Sequence, residues 1–230
     1  MAVYRQYQLM TRYTFVLALL FLLIMLFAEQ PAQATGQAAD KLIIEGKEHM
    51  LFTNPLEPYF SLHPDKRPKS GGSTSLWRAY IATFEIREGL LYILDVETRF
   101  HNLEINDLQL VSVYDSIFGS EKNVVADWFE GLLVIPTGQQ LQHISMGYAS
   151  IYEQYLLLQI VKGHLQKGRV MGSDEYLRFK KKQFEEYKKS PEFQAEMRSL
   201  DKSGHGDRTS DEQFIYLFET EYTSKYLLDF

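Results

Sequence analysis

The stretch from Trp77 to Val96 constrains this chain most, because its two halves can pair with each other across a short turn. Tyr80, Ala82, Phe84 and Ile86 fall on one face of an extended chain, and Ile81, Thr83 and Glu85 on the other, since successive side chains alternate across a strand. After Arg87-Glu88-Gly89, Leu90, Tyr92, Leu94 and Val96 alternate with Leu91, Ile93 and Asp95. That second run is apolar on both faces over its first five residues, which predicts a strand buried on both sides. The three-residue connection supplies one glycine for a positive-φ position. A central β-hairpin is the expectation.

Weaker signals of the same kind flank it. Leu42 to Leu51 turns at Glu45-Gly46, and Tyr155 to Val170 turns at Lys162-Gly163. Leu108 to Asp115 and Gly131 to Pro136 read as further strands, with Pro136-Thr137-Gly138 as a turn. Short strands separated by turn signals favour an antiparallel sheet, either a sandwich or a partly open barrel.

At Gly172 the pattern changes to helical. Ser173-Asp174-Glu175 reads as a cap with first-turn acids, and Tyr176, Phe179, Phe184 and Tyr187 recur at helical spacing. Ser190-Pro191 breaks or restarts that helix, and Asp201 to Asp207 reads as a polar linker. Ser210-x-x-Gln213 matches a capping box ahead of Phe214, Leu217, Phe218, Tyr222 and Tyr226. The expected fold class is therefore α+β. An antiparallel β-rich body over residues 35–171 carries a helical C-terminal appendage over 172–230.

Residues 1–34 have the layout of an export signal. Arg5 and Arg12 precede an unbroken apolar run of fourteen residues, Phe15 to Ala28, and Ala32-Gln33-Ala34 follows as a small-x-small cleavage pattern. Fourteen residues fall short of the ~20 that span a bilayer. An uncleaved N-terminal anchor is the competing reading, and it would confine membrane contact to residues 15–28. Thr35 to Asp40 reads as a short linker into the body.

Composition narrows the chemistry. The 230 residues are 45% hydrophobic, enough to bury a core without staples. There is no cysteine, which excludes disulfides, thiolate metal sites and thiol nucleophiles. A net charge of -6 argues against a nucleic-acid partner. Six histidines are scattered without metal-ligand spacing, so no metal or cofactor is expected. Ser199-x-x-Lys202 lacks the companion motifs of serine–lysine acylation, and no nucleophile elbow or phosphate loop is present.

Asn54 to Ser75 holds four of the seven prolines, so neither helix nor interior strand is expected across it. A loop of this length is functional or disordered. Its front half is apolar enough to pack on the body. Its back half carries Lys66, Arg67 and Lys69 ahead of Gly71-Gly72, a candidate anion-binding turn. Trp77-Arg78 and Asp127-Trp128-Phe129-Glu130 set flat rings beside charged groups, as a glycan-binding surface needs, although both tryptophans could equally plug the core. Asp127 and Glu130 could act as a general acid/base pair with Asp95 or Glu97.

Four stretches carry a resemblance. Asn54-Pro-Leu-Glu-Pro-Tyr-Phe60, Leu76-Trp-Arg-x-Tyr-x-Ala-Thr-Phe-Glu-Ile86, Ala126-Asp-Trp-Phe-x-Gly131 and His143-x-x-Met-Gly-Tyr-x-Ser-Ile-Tyr-Glu153 together resemble motifs of an uncharacterised family of bacterial proteins. The similarity covers about residues 41–165 and implies one folded unit from Asn54 to Glu153. The family has no established activity, so it implies no functional residue.

Together these readings favour an exported bacterial binding or interaction module of the cell envelope, periplasmic or secreted. It would hold an envelope protein or glycan through Lys66, Arg67, Lys69, Trp77, Arg78 and Trp128. The alternative is a hydrolase of envelope glycan or peptide, with Asp127 and Glu130 as catalytic carboxylates.

Overall fold

A computed structural model describes residues 36–69, 74–102, 107–203 and 208–218. The export signal, the Gly71-Gly72 turn and the end of the chain with Tyr222 and Tyr226 lie outside the described residues.

Nine strands form one sheet. They are β1 (Asp40–Ile44), β2 (Lys47–Leu51), β3 (Ile81–Arg87), β4 (Leu90–Asn102), β5 (Asp107–Ser112), β6 (Val124–Val125), β7 (Gly131–Gln142), β8 (Ile151–Val161) and β9 (His164–Gly172). Their order is β2-β1-β3-β4-β9-β8-β7, with β5 and β6 each paired to β4. Every pairing is antiparallel except β1 with β3. The fold is α+β with a mostly antiparallel open sheet and C-terminal helices.

The ladder between β4 and β9 is a single pair, Leu90 with His164. This thin seam lets the sheet fold over, so that Leu133, Ile135, Leu158 and Ile160 pack into the same core as Leu42, Phe84, Leu91 and Ile93. The two ends of the sheet are then drawn together. The Phe52 amide donates to the Val134 carbonyl (2.8 Å). The buried Thr53 hydroxyl donates to the Leu132 carbonyl (3.0 Å) and accepts from the Val134 amide (2.9 Å).

The central hairpin is present, with two corrections. Arg87 pairs directly with Leu90, so the turn is Glu88-Gly89 alone. Both residues sit at positive φ, as do Glu45-Gly46 and Lys162-Gly163, which is what a two-residue type I′ turn requires. The register also shifts between Thr83 and Phe84, which leaves Leu94 as an extra residue on β4. The bulge breaks the period of two, so Leu91, Ile93 and Val96 all face the core while Leu94 is exposed. A strand buried on both faces occurs at β7 instead, where Leu132 to Ile135 are all fully buried.

Proline caused two further departures from expectation. Helix α1 (Glu57–Leu62) lies within the proline-rich stretch. Pro58 falls in its first turn, where no amide donor is lost from the helix, and Leu56 and Phe60 are buried as the packing of the front half predicts. Pro136-Thr137-Gly138 is no turn but part of β7. That strand ends the sheet path, so a missing amide on its outer edge costs little. Gly138 (φ 76°) sits in a register shift further along it.

Residues 108–115 divide into β5 and a short helix, α2 (Tyr114–Phe118). Helices α3 (Ser173–Tyr187), α4 (Pro191–Ser203) and α5 (Arg208–Phe218) follow the strands. Tyr176 of α3 stacks on Tyr155 of β8, with ring centroids 3.8 Å apart, and this seats the helix on the sheet. Phe184, Tyr187, Phe193, Met197 and Ile215 form a separate core among the three helices. Ser190 restarts the chain as a helix by accepting from the Phe193 amide (3.2 Å). Ser173 is the first residue of α3, whose N-cap is Gly172, and Ser210 lies in the first turn of α5.

Candidate functional site

The segment expected to be a linker is instead fixed to the body. Gly36 bridges Gly147, the Gln37 amide donates to the Gly147 carbonyl (3.1 Å), and the Ala38 amide donates to the Ser75 carbonyl (2.8 Å). Small residues allow this close approach of backbones. The segment leads into Asp40, which is fully buried.

Asp40 organises a polar cluster inside the protein. One of its oxygens accepts from the Ala82 amide (2.9 Å) and from Arg78 (3.2 Å). Arg78 is itself only 6% exposed. It also donates to the Ala38 carbonyl (2.9 Å) and to the Tyr148 hydroxyl. Tyr148 passes the chain on by donating to Asn54 (3.0 Å). Nearby, the Tyr80 hydroxyl donates to Glu57 (2.8 Å), and Arg67 grips the same carboxylate with both of its terminal nitrogens. Burial raises the Asp40 carboxyl to about 6, against the pull of Arg78. Burial also raises the Tyr148 phenol, which keeps it a neutral donor. Arg78 is therefore not a contact residue for a partner, as the sequence suggested. Its charge is spent inside.

In front of this cluster lies a cavity of about 320 Å³. Its lining comes from the fixed N-terminal segment (Gly36, Gln37, Ala39), from Met50 and Phe52, from Gln140 of β7 and Tyr152 of β8, and from the stretch between those strands (His143 and Tyr148 among others). Phe52 stacks on Tyr148 at 5.1 Å and meets Tyr152 edge-on at 5.7 Å. Among the described residues that line it there is no Asp, Glu, Lys or Arg. This is the size and mixed chemistry of a small-ligand pocket.

A run of hydrogen bonds crosses its rim. Tyr152 donates its hydroxyl to Gln140 Oε1 (3.3 Å), which leaves the Gln140 amide nitrogen to donate to His143 Nδ1 (3.2 Å). His143 Nε2 faces Ser145 Oγ at 2.9 Å.

The remaining candidates gather around α1. Tyr59, Phe118 and Trp128 pack together, Trp128 parallel to Phe118 at 5.7 Å, and the Trp128 indole donates to the Pro55 carbonyl (2.9 Å). Lys66 donates to the Ile117 carbonyl (2.7 Å) at the end of α2 and to the Tyr59 hydroxyl (3.2 Å). Neither tryptophan is a core plug. Trp128 is half-buried, while Trp77 is 43% exposed and meets Phe214 of α5 at 6.3 Å. The Trp77 amide donates to Gln37, which lines the cavity (3.4 Å). Lys69, Asp127 and Glu130 are exposed on loops.

The structure therefore brings Lys66 and Trp128 together at Tyr59 of α1, while Arg67 meets Glu57 and Phe60 of the same helix. Trp77 lies beside the cavity and Arg78 behind it. Sequence reasoning missed Phe52, Gln140 and Tyr152 as site residues, although the stretch from His143 to Glu153 had been noticed as a motif. Among the described residues no three acidic or histidine side chains converge on a metal position, and no helix is long and apolar enough to cross a membrane. No protein-family model, curated protein or solved structure matches this chain.

Proposed function

We propose that this is an exported binding module of the bacterial cell envelope, which holds its ligand in the cavity between the N-terminal segment and the β7–β8 connection. The observation that carries this reading is the cavity itself. It has aromatic walls and polar groups at the rim, and the buried Arg78–Tyr148 contact holds one wall rigid from behind. Preorganised walls lower the ordering cost of binding.

Export rests on the apolar run and the small-x-small pattern after it. Mass spectrometry of the N-terminus after expression in a bacterial host tests it, with Thr35 expected as the first residue. An intact Met1 in the membrane fraction would overturn cleavage, and recovery from the cytosol would overturn export. Binding is tested by capture from native envelope extract. Wild type is expected to retain a component that a folded Gln140→Leu/Tyr152→Ala variant loses. Equal retention by both would remove the cavity from the function.

A further inference from the structure

We infer that the cavity takes a neutral saccharide of one or two rings, a reading that rests on the cavity being the binding site. Charge decides first. With no Asp, Glu, Lys or Arg among the described lining residues, an anionic or cationic ligand would leave water without a counter-charge from them, which is costly. Polarity decides next. Gln37, Gln140, His143, Ser150 and Tyr152 all line the cavity, and a purely apolar occupant such as an acyl chain would displace water from them without replacing its hydrogen bonds.

What fits is a molecule with apolar faces and hydroxyl edges. The C–H face of a pyranose lies against aromatic rings, which Phe52, Tyr148 and Tyr152 supply. Its hydroxyls donate and accept, and its ring oxygen accepts. The hydrogen bond between Tyr152 and Gln140 at the rim leaves matching positions: the second amide hydrogen of Gln140 and the lone pairs of Tyr152 Oη. A volume of about 320 Å³ is near the small end for ligand pockets, so the ligand is short or enters by its end.

A peptide is also neutral and polar, but extended peptides are usually held by main-chain pairing to a free strand edge. Here that edge is taken. Gly36 and Gln37 already pair with Gly147, and Phe52 and Thr53 already bond Leu132 and Val134. The chain's own backbone occupies the place a peptide would use.

The test uses the full chain as it accumulates in a bacterial host. It is titrated with cellobiose, maltose and diacetylchitobiose, and in parallel with digalacturonate, a blocked neutral dipeptide and octanol. Calorimetry gives affinity, and amide resonances of residues 140–152 give location. At least one neutral disaccharide is expected to bind and shift those resonances. Gln140→Leu should weaken it at least tenfold, Tyr152→Phe should weaken it less because the ring stays, and Lys66→Ala should leave it unchanged. Saccharide binding unaffected by Gln140→Leu overturns the assignment. Binding of only digalacturonate, dipeptide or octanol at these residues overturns the ligand class but keeps the cavity as a site. Failure of every probe overturns both.

Discussion

Arg78 donates a hydrogen bond to the Tyr148 hydroxyl across seventy residues of chain, with both side chains buried. The contact links the ion pair with Asp40 to the wall of the cavity. Arg78 therefore ties the buried ion pair to the cavity wall, while its own guanidinium is buried.

Replacing Arg78 by Met should leave Asp40 buried without its counter-charge. Breaking one side of such a pair costs about 3–5 kcal/mol. A urea midpoint well below wild type is the expected result. Lys in place of Arg should recover only part of the loss, because a single ammonium cannot reach Asp40, Ala38 and Tyr148 together.

Acidity should act on the same cluster. The Asp40 carboxyl is raised to about 6 in the folded protein, chiefly by burial, against about 3.9 in an unfolded chain. The folded state therefore holds this proton more tightly. Its contribution to stability is fully present below about pH 4, is lost as pH rises to about 6 and is flat above that. Asp40→Asn should remove this component, worth at most about 2–3 kcal/mol. The measurement is the difference in unfolding free energy between pH 4 and pH 7 in both proteins. Identical pH slopes would show that Asp40 does not titrate there.

Thr53→Val should weaken the meeting of the sheet ends. The variant keeps the shape but loses the hydroxyl, so the Leu132 carbonyl and the Val134 amide lose their bonds to it in a buried place. A loss of about 1–3 kcal/mol is expected. Amide exchange should accelerate most at Val134.

Gly138→Ala should be costly for two reasons. The backbone sits at φ 76°, and an added Cβ would lie 2.5 Å from Glu153 Oε2. That oxygen accepts from the Gln139 amide (2.8 Å), so moving it opens a second bond. Left-handed backbone costs a residue with a Cβ about 1–2 kcal/mol. A lower melting temperature would accompany the change, and Glu153→Ala in the same chain should relieve the steric part.

Features set by neighbours in sequence were legible. The three X-Gly turns, the change to helical period near Gly172 and the helix restart at Ser190-Pro191 each depend on two or three adjacent residues. The bulge at Leu94 was not legible, because a sequence pattern shows alternation but not the residue at which it slips. Pro58 and Pro136 were read as breakers because their effect depends on position within the element, which the residue type does not reveal. The cavity was hidden for a different reason. Phe52 lies just past β2 while Gln140 and Tyr152 come from β7 and β8, and Gly36 to Ala39 carry no pattern of their own.

The bonds joining Thr53 to Leu132 and Val134 span 79 and 81 residues. No part of that closure can exist until most of the chain is available, and every earlier intermediate must leave the sheet ends apart. Non-local pairing of this kind slows folding, toward milliseconds to seconds. Until then the open ends are exposed to other chains. A cell making this protein in quantity should therefore find its assembly, more than its finished stability, sensitive to crowding with copies of itself.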